Sequence, residues 1–203
     1  IACIVEPVTF YVDGIHSRVG YWVNMLGNTY LYYANGIGSF LWLMYVDIKL
    51  YHDRGRMKKI YYKLSVPVGI LLLSLVGNLF FKYYFYVDED YVYHRQPTIY
   101  IFYIYITICS LYSIALYIHR RRTVGDVAFF PIYMYLVPIV FGSVLQMLFY
   151  GISTAWLGTA IGIVALCMSL QQQKTYIDSL TGLFNRYSKN FLIFLPGKKI
   201  LIG

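Results

Sequence analysis

The sequence predicts an all-α, polytopic bundle of transmembrane helices, and three observations carry that prediction. Of 203 residues, 59% are hydrophobic and only 13% are charged, against roughly 45–50% and 25% in soluble domains. Long stretches hold no Asp, Glu, Lys or Arg at all. The basic residues between them gather in alternate segments. Such a composition excludes intrinsic disorder and a collagen-like fibre. It also cannot cover a soluble domain with polar surface.

A membrane helix needs about 20 mostly apolar residues. The chain opens on the apolar run Ile1–Val5, which stops at Glu6-Pro7. This run reads as the outer end of a preceding span, so the parent protein is expected to have six. No basic segment precedes it, so it does not read as a signal peptide. Five complete spans follow, at 29–48, 64–86, 98–118, 129–149 and 152–170, together making a bundle over 1–170. The second reaches 86 only if Lys82 snorkels its ammonium to the interface. The last two are separated by the turn signal Tyr150-Gly151-Ile152-Ser153-Thr154. The 24 tyrosines concentrate near predicted helix ends, where amphipathic rings favour the headgroup level.

Charge placement gives the orientation. Residues 49–63, 119–126 and 171–203 hold 14 of the 17 Lys and Arg residues. Excess Lys/Arg marks cytoplasmic loops, so these segments, and with them the C-terminal tail, are expected in the cytoplasm. The opposite side holds Arg18, Lys82 and Arg95 beside Glu6, Asp13, Asp88, Glu89 and Asp90. The net charge of +8 is therefore a topology signal and a lipid-facing charge, with no nucleic-acid partner implied.

The predicted span interiors carry no ionisable group. Intramembrane charges mark ion-coupled carriers and pumps, so those functions are disfavoured, while a small permease stays open. Tyr103, Thr107, Ser110 and Tyr117 share one helical face. That face is expected to point into the bundle, either to hydrogen-bond between helices or to line a pocket for a small amphipathic or aromatic signal. Gly158 and Gly162 form a GxxxG pattern that permits close helix approach, within one bundle or between two copies. Asp88, Glu89, Asp90 and His94 read as a solvated acidic loop rather than a cation site. Cys3, Cys109 and Cys167 lack CxxC spacing, and the four histidines form no HExxH. No catalytic residue and no metal site is assigned.

After the last span, residues 171–177 continue with helix formers as a cytoplasmic stalk. Leu166, Leu170, Ile177 and Leu180 follow a heptad seam with Gln173 as its polar member. Then comes Asp178-Ser179-Leu180-Thr181-Gly182-Leu183-Phe184-Asn185-Arg186, in which Gly182 is a helix stop and Asn185 a helix cap. This nonapeptide resembles the DxLTGLxNR opening of GGDEF domains, the diguanylate cyclase family. Asp178, Leu180, Thr181, Gly182, Leu183, Asn185 and Arg186 match, and Tyr187 stands where a second basic residue often follows. EPVTFYVDG near the start resembles, more weakly, the multi-span regions attached to such domains.

The resemblance implies that residues 178–203 open an α/β domain that, when whole, condenses two GTP into cyclic di-GMP with magnesium, as a homodimer through stalk and domain. It further implies a bacterial inner-membrane protein, with the lipid bilayer and an unknown small-molecule signal as partners. Residues 178–203 hold neither the GGDEF hairpin nor metal ligands, so the region is expected to be a sensor and anchor truncated at both ends, without cofactor or catalysis of its own. The alternatives are the six-span input of a sensor kinase or a small permease. A kinase needs a phosphoacceptor His after the stalk, and residues 171–203 contain none.

Overall fold

A computed structural model describes residues 1–124, 132–149 and 152–176. The described residues are mostly helical and fold into six α-helices and one short hairpin: α1 (Ala2–Val12), α2 (Arg18–Tyr51), α3 (Arg54–Phe81), β1 (Phe85–Val87), β2 (Tyr93–Arg95), α4 (Tyr100–Val124), α5 (Ile132–Leu148) and α6 (Thr154–Tyr176). A 3₁₀ turn over Pro97–Ile99 leads into α4. Three helical segments, Arg54–Phe81, Pro97–Thr123 and Thr154–Gln171, are long and apolar enough to cross a membrane.

Helix α2 is the axis of the molecule. Its buried positions include Asn24, Met25, Tyr32, Trp42, Val46, Asp47 and Leu50, so it is walled by protein along much of its length. Around its first half gather Leu75, Tyr84, Phe85, Val87, Ile99 and Phe102. Around its second half gather Tyr61, Cys109, Leu116, Ile132, Leu136 and Leu166, from α3, α4, α5 and α6. Trp42 stacks on Tyr135 of α5 at 3.7 Å between centroids and donates its indole N–H to Ser113 Oγ of α4 at 3.2 Å. Protein neighbours explain how this helix carries polar groups that lipid would not tolerate. It begins at Arg18, well before the expected start at 29, and this early part packs on the end of α1, with Asn24 and Met25 buried and Asn24 bonded to Asp13.

The turns have local causes. Helix α2 ends where His52 takes a left-handed conformation (φ 53°) with its N–H on the Ile48 carbonyl. Asp53 then caps α3, its Oδ1 accepting from Gly55 N at 2.8 Å and Arg56 N at 3.0 Å. The clasp below this turn is Asp47, 1% exposed. Its carboxylate accepts from Tyr61 Oη at 3.0 Å and pairs with Arg56 Nε at 3.2 Å. Arg56 and Arg120 both lie over the Tyr51 ring, at 4.2 and 5.2 Å. The basic segments 49–63 and 119–124 thus meet at one end of the molecule.

The span expected over 64–86 stops at Phe81, a correction with a clear reason. Lys82 is left-handed (φ 54°) and returns its N–H to the Asn78 carbonyl, ending the helix. The fully buried Asn78 side chain then holds the next segment as a strand would. Its Oδ1 accepts from Tyr84 N at 2.7 Å, and its Nδ2 donates to the Phe85 carbonyl at 3.2 Å. Phe85–Val87 turns back as β1, antiparallel to β2, with Tyr86 opposite His94. Glu6-Pro7 does not end the first apolar run either. Pro7 lies inside α1, and the helix continues to Val12.

Helices α5 and α6 form a close antiparallel pair. A Cβ at Gly158 would fall on the Pro138 carbonyl, one at Gly142 on the Thr154 carbonyl, and one at Gly162 would sit 2.6 Å from the Tyr135 carbonyl oxygen. The two backbones touch because these three positions have no side chain.

Candidate functional site

A polar cavity opens at the end of the molecule opposite the Arg56–Tyr51–Arg120 cluster. It has a volume of about 220 Å³, with Glu6, Asp13, Asn24, Asn28, Tyr93 and Arg95 as its polar wall and Phe10 and Leu31 on its apolar side. Three elements build it. Helix α1 supplies Glu6, and Asp13 follows directly after its last residue. The first turns of α2 supply the amides. Strand β2 supplies the phenol and the guanidinium.

Each wall group is held by an identified partner. Asp13 Oδ1 accepts from Asn24 Nδ2 at 3.0 Å and from the Tyr93 backbone N–H at 2.8 Å, which fastens α1 to α2 and to the hairpin. Asn28 Nδ2 donates to Asn24 Oδ1 at 2.6 Å. The Tyr93 hydroxyl meets that of Tyr32 at 2.9 Å. Burial pushes the Tyr93 phenol above its ordinary pKa, so it serves as a neutral hydroxyl. Arg95 lies over the Tyr93 ring at 5.9 Å. The ion pairs among the described residues are Asp47–Arg56 and Asp88–His94, so Arg95 has no carboxylate within 4.0 Å there.

Glu6 joins the cavity to α6. Only 8% exposed, it accepts from Gln146 Nε2 of α5 at 2.7 Å and from Ser153 Oγ just before α6. Gln146 Oε1 in turn accepts the Ala155 N–H at 2.9 Å, one of the first-turn donors that a helix cannot satisfy by itself. The start of α6 is therefore capped by a glutamine that is itself oriented by a cavity carboxylate.

The expected site residues fall elsewhere. Tyr103 and Thr107 are exposed, and Ser110 and Tyr117 half-buried. Thr107 and Ser110 spend their hydroxyls on carbonyls of their own helix, Tyr103 O at 2.8 Å and Ile106 O at 3.0 Å. Phe102, Cys109, Ser113 and Leu116 are the buried positions of α4, so the stripe expected to face inward lies about one residue round from the packed face. Tyr103, Thr107, Ser110 and Tyr117 do not line the described cavity. Gly158 and Gly162 are brought against α5 of the same chain. Asp88 and His94 pair with each other at 2.6 Å, and no group of three metal-ligating side chains occurs among the described residues. Asp178, Leu180, Thr181, Gly182, Leu183, Asn185 and Arg186 lie outside the described residues, as does Ile177 of the stalk.

Sequence reasoning counted Glu6, Asp13 and Arg95 only as charges of one side. The available signal was that acids and a base share that side with Asn24 and Asn28 one helical turn apart. No family model, curated protein or solved structure matches the chain.

Proposed function

We propose that this chain is the membrane sensor and anchor region of a diguanylate cyclase: a five-span bundle in a bacterial inner membrane, its basic end and tail cytoplasmic, controlling a GGDEF domain that begins at Asp178. The five spans are α2 to α6. Three have the length and apolarity for it. Helix α2 reaches that length, about 51 Å at 1.5 Å per residue, and its Asn24, Thr29 and Asp47 are buried in protein. Helix α5 is apolar but shorter, at 17 residues.

One observation carries the sensory half of this reading. Glu6 lines the polar cavity and, through Gln146 and Ser153, holds the first turn of α6. Helix α6 then runs unbroken to Tyr176, two residues before the DSLTGLFNR segment. A ligand that alters the Glu6 contacts would bias the position of α6, and with it the stalk that sets two cyclase domains face to face. A ligand shifts such an equilibrium only by its differential affinity for the two arrangements.

The coding sequence beyond Gly203 tests the catalytic half. An in-frame acidic strand end followed by a GG(D/E)EF hairpin is the expected result. A phosphoacceptor-histidine helix in that place would overturn the cyclase in favour of a sensor kinase.

A further inference from the structure

The proposed sensor reading leaves its signal unnamed, and the cavity wall narrows the choice. We infer that the cavity between α1, α2 and β2 binds a small zwitterion of the free α-amino-acid class, its ammonium toward Asp13 and its carboxylate toward Arg95. The inference rests on that reading for the ligand's role as a signal, but not for the binding itself.

Four features lead there. First, the cavity holds fixed charges of both signs, and Arg95 has no carboxylate within 4.0 Å among the described residues. A guanidinium over an aromatic ring, with its donors uncommitted to any acid, suits a planar carboxylate. Second, both hydrogen bonds to Asp13 fall on Oδ1, which leaves Oδ2 as an acceptor at the cavity wall. The amide oxygen of Asn28 adds another, since its nitrogen is already committed to Asn24. Ammonium groups need several such acceptors at once. Third, Phe10 and Leu31 form a small apolar side, which fits an aliphatic side chain. Fourth, the cavity, about 220 Å³, has room for a free amino acid. A simple cation would leave Arg95 facing uncompensated positive charge, and a simple anion would face Glu6 and Asp13.

The test is a binding series on the full chain in detergent or nanodiscs, read by thermal unfolding and by calorimetry. The probes are the twenty free L-amino acids, with the N-acetyl derivative and the methyl ester of whichever raises the melting temperature most. The expected result is that at least one aliphatic amino acid binds, and that each blocked derivative binds at least about tenfold more weakly, the loss of one charge-assisted contact. Arg95→Gln should weaken the free amino acid to the level of its methyl ester and leave the ester's own affinity unchanged. Arg95→Lys should recover part of the loss, which separates a lost contact from a misfolded hairpin. The inference fails if no free amino acid binds, or if the acetylated and esterified forms bind as well as the parent. The outcomes also separate the two proposals. Binding without a cyclase downstream of Gly203 keeps the zwitterion site and removes the signalling role. A cyclase downstream with no amino acid bound removes the site alone.

Discussion

Asn78 shows how much one buried amide can organise. It ends no helix by itself, yet it supplies the first hydrogen bonds of the segment that turns back over the bundle. Asn78→Ala should cost about 1–3 kcal/mol, because the Tyr84 N–H and Phe85 carbonyl stay buried with no partner. The check is thermal unfolding in detergent, with faster amide exchange at Tyr84. The hairpin tip has its own residue-scale device. Asp88 accepts from Val92 N at 2.8 Å and meets His94 Nε2 at 2.6 Å, and these bonds, the backbone one first, hold its carboxyl below the usual carboxylate range. A lowered folded-state pKa contributes stability that is complete above the ordinary value and is lost as pH falls through the lowered one. Amide protection at Val92 should therefore hold from neutrality down to about pH 4, the ordinary carboxylate range, and decline only below it. Loss already at pH 5 to 6 would show that Asp88 is not the controlling group.

At the scale of elements, glycines divide into two kinds. Gly142, Gly158 and Gly162 are where α5 and α6 touch backbone to backbone, whereas a Cβ at Gly69 or Gly77 of α3 would meet nothing within 4 Å. Gly158→Ala should cost about 1–3 kcal/mol by forcing the pair apart, and Gly69→Ala should be neutral or stabilising by up to about 1 kcal/mol. Thermal unfolding of both variants decides it, and equal effects would contradict the packing. The apolar runs behind α3, α4 and α6 were legible because nothing but hydrocarbon or protein accepts twenty uncharged residues in a row. The end of α3 was not, since Phe80-Phe81-Lys82-Tyr83-Tyr84-Phe85-Tyr86 continues the apolar pattern. The helix stops where Lys82 turns left-handed, which nothing in that run announces, and Asn78 then holds Tyr84 and Phe85 in the returning segment. The inward face of α4 was misjudged for a related reason. Thr107 and Ser110 look as though they need partners, but a helical hydroxyl can satisfy itself on the carbonyl one turn back. The cavity was the least legible feature, because Glu6, Asp13, Asn24 and Arg95 come from three elements that only the tertiary fold brings together.

For the molecule as a whole, polarity is sorted by end. Arg56, Arg120 and the Asp47 clasp lie at one end, while Glu6, Asp13, Arg95 and the hairpin lie at the other. If the proposed topology holds, Lys58→Cys and Asp90→Cys in a background lacking Cys3, Cys109 and Cys167 should label from opposite faces of sealed vesicles, Asp90→Cys from outside. Labelling of both from one face would overturn it. The stack of Trp42 on Tyr135 has a practical consequence for such work. Trp42 is 6% exposed, whereas Trp22 is 50% exposed, and it sits where α2, α4 and α5 meet, in the half of α2 nearer the Asp47 clasp. Replacing Trp22 and Trp156 with phenylalanine would leave one fluorophore seated against a phenol ring and a serine hydroxyl. Its emission would then serve as an intrinsic optical gauge of that joint, reading rearrangement between α2, α4 and α5 without any attached dye.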